Sequence, residues 1–232
     1  MGDISIEVIR KDIKNIHLSV YPPQGKVKIS APLRMDTETI RVFIISKTAW
    51  IRKQQAKFQS QNRETIRECI PRESHYFLGK RYLLHVIEQN GPARIVLKHS
   101  TLDMYIPKQA SIQKRQTLLS EWYRSQLKAL VPSYIVALEK KMNLTIAEFR
   151  IRKMKTKWGT CNPKARRIWL NLELAKKPME CIEYIIAHEM LHLLERHHNE
   201  RFLAYMDKFM PQWKQHKAEL GRLPLGHVDW EE

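Results

Sequence analysis

Ile185-Ile186-Ala187-His188-Glu189-Met190-Leu191-His192-Leu193-Leu194-Glu195-Arg196-His197-His198 is the stretch on which the reading of this chain turns. Two histidines four apart on a helix stand one turn above each other on the same face. So placed, two imidazoles can bind one Zn²⁺, and the intervening Glu189 can act on a water beside the metal. His198 follows His192 closely enough to leave the helix and return as a third ligand. Three protein ligands with a fourth position open is the catalytic zinc pattern, whereas a structural site closes the fourth. Asn199 is a good N-cap, so a new helix is expected from Glu200, with His198 at its mouth. An amphipathic helix with histidines at its solvent edge is the plainer account of the same spacing, and a third histidine at ligand-competent distance weighs against it.

Working outward, Pro178 suits the first position of the helix carrying His188, with Glu180 and Glu183 complementing its N-terminal dipole. Cys181, Tyr184, His188 and His192 are expected on its metal-facing side, and Ile182, Ile185, Ile186, Leu193 and Leu194 in the packing. Upstream, Ile146, Phe149 and Ile151 suggest a strand, Arg152 to Arg166 a loop punctuated by Asn162-Pro163, and Arg167 to Leu172 a second strand. Between Ala147 and Lys177 the sequence holds ten Lys or Arg and two acids. Trp158-Gly159 sits among them, a large anchoring face beside a residue that lets backbone approach closely. The Ile168–Leu172 strand is expected to offer an edge to an extended peptide, the same lysines to suit phosphates, and Trp158 to serve equally well as a core plug. Downstream, Phe202, Tyr205, Met206 and Phe209 recur at helical spacing, the expectation being core packing and support behind His198. A last helix is expected from about Gln212 to Leu220.

His188-Glu189-x-x-His192 with His198, the run Arg152-Lys153-Met154-Lys155-Thr156-Lys157-Trp158-Gly159-Thr160-Cys161, Ile168-Trp169-Leu170-Asn171, His198-x-x-x-Phe202 and Pro211 together carry a resemblance. The chain resembles the YgjP-like family of zinc-dependent hydrolases, relatives of the SprT and WLM zincins. The run from Arg152 is similar to that family's R-x-x-K-[ST]-[RK]-W-G-[ST]-C signature. The third-ligand spacing is also that of metzincins, but Glu195 stands where those proteins have a turn-making glycine. The resemblance implies a zincin-like metallopeptidase domain, Zn²⁺ as cofactor and a polypeptide substrate. It also implies a runner-up activity, metal-dependent nucleoside triphosphate pyrophosphatase, which relatives have been assigned. Glu189 is then the general base, and His188, His192 and His198 are the metal ligands. Arg152, Lys155, Lys157, Trp158, Gly159 and Tyr184 are the candidate substrate-binding residues.

The fold class expected is α+β, with a β-rich section over 1–110 and the zincin-like domain over 111–232. Ile4, Ile6 and Val8 alternate with polar residues, as do Ile16, Leu18 and Val20, then Val27 and Ile29. With a turn at Tyr21-Pro22-Pro23-Gln24-Gly25, this reads as an antiparallel meander. Asp36 can cap a helix with Ile40, Phe43, Ile44, Trp50, Ile51 and Phe58 on its apolar side. Gln59 to Pro71 reads as a linker. Strands follow over Tyr76–Ile87, turning at Gly79-Lys80, then Ile95–Lys98 and Leu102–Ile106. A helix from Ser111 to Met142 is expected to kink or split at Pro132.

The chain's 41 Lys and Arg against 24 Asp and Glu give a net charge of +17, which favours anionic partners such as a nucleotide, a nucleic acid or an acidic peptide. A basic nucleic-acid-binding module that keeps a zinc fold is therefore the non-enzymatic alternative. No apolar run reaches the length of a membrane span, and the start, Met1-Gly2-Asp3-Ile4, does not read as a signal peptide. Cys69, Cys161 and Cys181 are odd in number and form no C-x-x-C pair, which fits a reducing, cytoplasmic setting.

Overall fold

The computed structural model describes residues 4–21, 24–60, 67–154 and 157–222. Residues 1–3, Pro22 and Pro23 of the expected turn, residues 61–66 of the expected linker, and Lys155 with Thr156 lie outside them. The chain is α+β. It divides into two compact units, one built on Met1–Arg63 and one over Glu64–His227, so the boundary expected at 110/111 falls inside the second. The reason is packing. Phe77, Leu84, Leu102 and Met104 from the strands before that boundary share one core with Leu119, Leu127 and Ile135 after it.

In the first unit, β1 (Ile6–Lys11), β2 (His17–Tyr21) and β3 (Lys26–Pro32) precede α1 (Thr37–Ser60). The strand order is β1-β3-β2, with β3 parallel to β1 and antiparallel to β2, so the expected antiparallel meander is not formed. β3 carries Val27, Ile29 and Ala31, all fully buried, and the most buried strand takes the central place. Asp36 caps α1 as expected, its Oδ1 accepting from the Thr39 amide at 2.8 Å. Ile40 and Ile51 are buried beneath this helix, whereas Trp50, expected among the packed positions, is exposed.

In the second unit, β4 (Ser74–Phe77), β5 (Lys80–Glu88), β6 (Arg94–Leu97) and β7 (Thr101–Ile106) form a sheet of order β4-β5-β7-β6. Helix α2 (Ile112–Met142) begins at Ser111, whose side chain accepts from the Lys114 amide, and ends at Asn143 in the left-handed region. Leu119, Tyr123, Leu127, Val131, Ile135, Leu138 and Met142 mark its buried face. Pro132 does not split the helix. It lies on the exposed side, where the carbonyl one turn earlier can bond water instead of the missing amide.

A second sheet follows: β8 (Glu148–Arg152), β9 (Gly159–Asn162) and β10 (Arg167–Asn171), ordered β8-β10-β9. β10 is parallel to β8 and antiparallel to β9. The stretch read as one loop therefore contains a strand. Ile168 to Asn171 is central rather than an edge, and the free edge beside it belongs to β9. A short 3-10 helix (Leu172–Lys176) leads into α3 (Met179–Leu191), α4 (Glu200–Phe209) and α5 (Trp213–Arg222).

Candidate metal centre

Helix α3 is apolar on nearly every side, with Ile182, Ile186, Ala187, Met190 and Leu191 fully buried. It is therefore a core helix, and what it presents is fixed by packing. His188 lies in its last turn and His192 caps its end. The chain then turns, Leu194 and Glu195 both donating to the Leu191 carbonyl, and returns through His198 to Asn199. Asn199 caps α4, accepting from the Phe202 amide at 3.0 Å. This turn closes without glycine at Glu195, and it brings the third histidine back over the first two.

The ligand-capable atoms of His188, His192 and His198 all lie within 4.8 Å of one another, and among the described residues no other such group of His, Cys, Asp or Glu forms. The Nε2 atoms of His188 and His198 are 2.9 Å apart. Donor nitrogens of a tetrahedral zinc site, at about 2.0–2.1 Å from the metal, stand roughly 3.3 Å apart, so three neutral imidazoles at these spacings fit such an ion. His192 Nδ1 lies 3.0 Å from the Glu195 carbonyl. A carbonyl only accepts, so that nitrogen carries the proton and Nε2 is left as a lone pair. Burial pushes His188 down to about 3, with His192, His198 and Lys217 adding to the shift, and burial likewise lowers His198. Both effects favour the neutral imidazole that a metal requires.

Phe202 forms the floor. Its ring centroid is 5.0 Å from that of His188, 4.9 Å from His192 and 4.8 Å from His198, and it is fully buried. The expectation that an aromatic of α4 backs His198 understates its reach, since this one ring touches all three.

Glu189 is buried, and burial pushes its carboxyl up to about 8, with Lys157 pulling the other way. Gly159, the first residue of β9, lies directly against it: a Cβ there would meet Glu189 Cγ and Oε1 at 2.7 Å. Tyr184 is buried edge-on to His188 at 6.0 Å. Burial, then Glu189 and Cys181, push its phenol up to about 12. Cys161 also neighbours the carboxylate; burial and then Glu189 push its thiol up to about 11.

Of the candidate substrate-binding residues, Gly159, Tyr184 and Lys157 gather around Glu189. Trp158 is half-buried against the core with the Lys177 ammonium 5.6 Å from its ring centre. Lys155 lies outside the described residues. Arg152 is not brought in. It stands in register with Asn171 on β8 and stacks at 4.4 Å on Trp169, whose neighbours Ile168 and Leu170 face the core. Strand alternation therefore turns Arg152 and Trp169 to the sheet face opposite α3. Cys181, expected toward the metal, instead points its Sγ at the His216 carbonyl of α5, 3.7 Å away. Sequence reasoning gave no role to Asn171, whose side chain ties together the segment before β9, or to the buried Lys177. Asn171 signalled itself only as the polar end of an apolar run within the quoted motif, and Lys177 gave no signal at all.

Three histidines held by a helix, a turn and a helix start, with a buried carboxylate beside them, make the pattern of a metal-dependent hydrolase. The YgjP-like metallopeptidase domain matches residues 14–223, and the chain belongs to that family. It is thus a hydrolase of the metallopeptidase type. The crystal structure of the metallopeptidase zymogen of Pyrococcus abyssi abylysin is similar over 39% of this chain and 90% of its own, at 21% identity and a TM-score of 0.37. No curated protein matches the chain.

Proposed function

We propose that His188, His192 and His198 hold one Zn²⁺ and that the chain hydrolyses peptide bonds with Glu189 as the proton-handling residue. The observation that carries this reading is the convergence of three imidazoles within 4.8 Å at the end of the helix that also bears Glu189. Bound there, the ion would supply a Lewis acid for the scissile carbonyl and the attacking water, and its charge would favour ionised Glu189. Glu189 takes the proton of the attacking water on a carboxylate oxygen and returns it to the leaving amine. Its burial against Gly159 limits the carboxylate's freedom and keeps competing water away. An extended substrate pairs with the free edge of β9, in place of the edge first expected at Ile168–Leu172.

The pyrophosphatase alternative requires Arg152, Lys155 and Lys157 to converge on the metal. The stacking of Arg152 on Trp169 counts against it. No specific contact favours a nucleic-acid module. Three free cysteines, two of them buried, suit the reducing cytoplasmic setting that completes this reading, and among the described residues no helix is long and apolar enough to cross a membrane.

The test compares wild type with Glu189→Gln on unstructured acidic and basic polypeptides and on nucleoside triphosphates, with Zn²⁺ or Mg²⁺ added. Polypeptide cleavage lost in Glu189→Gln, with zinc retained, is the expected result. Rapid triphosphate cleavage with every polypeptide intact would sink the peptidase reading.

A further inference from the structure

Asn171 ends the central strand β10 and is buried, yet nothing in the chemistry above uses it. All four hydrogen-bonding capacities of its side-chain amide are engaged. Oδ1 accepts from the Met154 amide at 3.3 Å and from the Glu173 amide at 3.2 Å. Nδ2 donates to the Met154 carbonyl at 2.9 Å and to the Lys157 carbonyl at 2.7 Å. The orientation is chemically forced, because a flipped amide would set its N–H groups against two backbone donors. The Asn171 amide also donates to the Trp158 carbonyl at 2.8 Å.

Met154 lies just after β8 and Lys157 just before β9. One residue on the middle strand thus fixes both the outgoing and the returning chain. The return delivers Gly159, where an added Cβ would meet Glu189 Oε1 at 2.7 Å. The backbone ladder holds this corner from one side alone, since β9 is an edge strand and its pairing with β10 reaches only to the Trp158 carbonyl. Asn171 supplies the missing constraint.

We propose that Asn171 is the positioning residue of this site, fixing the Lys157–Gly159 corner so that the Gly159 backbone forms the wall against which Glu189 rests. This rests on the reading of Glu189 as the proton-handling residue. An aspartate at 171 keeps the two accepted bonds but turns a carboxylate toward two carbonyls, so the Lys157 side of the corner is released while Met154 and Glu173 keep a partner. Gly159→Ala displaces the same carboxylate from the other direction, with every bond of Asn171 intact.

The experiment measures kcat, KM, zinc content and thermal midpoint for Asn171→Asp, Gly159→Ala and the double variant on a cleaved polypeptide, normalised to folded, zinc-loaded protein. Misplacement of a reacting group by about 1 Å costs about 10²-fold, so each single variant is expected to lose about that in kcat, with KM changed less than about threefold. Because both act on one carboxylate, the double variant is expected to be no more than about threefold worse than the worse single. A merely structural Asn171 gives either normal kcat per folded molecule or losses that multiply to about 10⁴-fold, and either result overturns the proposal. Normal kcat in Gly159→Ala overturns it as well. Should Asn171→Asp not fold, Asn171→Ser, which retains one hydroxyl donor and acceptor, is read against the same outcomes. Glu189→Gln run alongside separates the two ideas: activity surviving there refutes the reading of Glu189, whereas its loss beside a normal Asn171→Asp refutes only the positioning role.

Discussion

Replacing Phe202 by alanine removes the one ring that touches all three histidines, at centroid distances of 4.8–5.0 Å. Two separable losses follow. The first is packing: deleting a fully buried phenylalanine costs about 3–5 kcal/mol through lost transfer energy and the cavity left behind. Urea unfolding of the metal-free protein reads that loss directly. The second is preorganisation. Three imidazoles freed to change rotamer must be re-ordered when the ion binds, at roughly 0.5–1 kcal/mol each, or about 1.5–3 kcal/mol in all. At about 1.4 kcal/mol per decade, that weakens zinc about 10–150-fold. A chelator competition assay on folded protein measures it without reference to activity. Phe202→Leu, which fills much of the volume without the flat face, is expected to recover most of the stability and little of the affinity. If the alanine variant loses the expected stability but binds zinc within about threefold of wild type, Phe202 is core and nothing more. The floor argument would then be wrong.

His198→Ala is expected to weaken zinc markedly and His197→Ala hardly at all, because only His198 lies within 4.8 Å of both other ligands; full retention in His198→Ala would place the third ligand elsewhere. Pro132→Ala is expected to stabilise the second unit, by up to about 3 kcal/mol in denaturant unfolding, since it restores a mid-helix hydrogen bond in unbroken α2. Asp103 is buried, which alone would raise its carboxyl, but hydrogen bonds from Lys98 at 2.7 Å and Thr101 at 2.9 Å hold it below the ordinary 3.8. A carboxyl lowered in the fold contributes stability above its unfolded pKa and loses it as pH falls through the folded value. Asp103→Asn is therefore expected to lower the thermal midpoint near neutral pH, with the gap closing below about pH 4; a gap independent of pH would refute the charge argument.

What could be read in the letters was whatever chemistry is local. His188 and His192 meet because one helix turn separates them, and Asn199 caps α4 because three residues separate it from the Phe202 amide. The placement of His198 needed only a turn of the right length. Strand order is not local. Val27 and Ile29 announced a strand but not that β3 would lie between β1 and β2. Likewise Ile168–Asn171 announced a strand but not its central place, because Gly159-Thr160-Cys161-Asn162 carries too little apolar alternation to declare itself as the partner. Arg152 shows the same limit at the level of one side chain. It belongs to a motif that otherwise runs to Gly159 beside Glu189, and nearness in sequence suggested nearness in function. Alternation along β8 sends it to the other face, onto Trp169. Asn171 is the converse: far in sequence from the loop it organises, it acts through four backbone groups that no periodicity reveals. A motif residue can thus serve its site by touching substrate, by supporting a neighbour or by neither, and only the sheet register decides which.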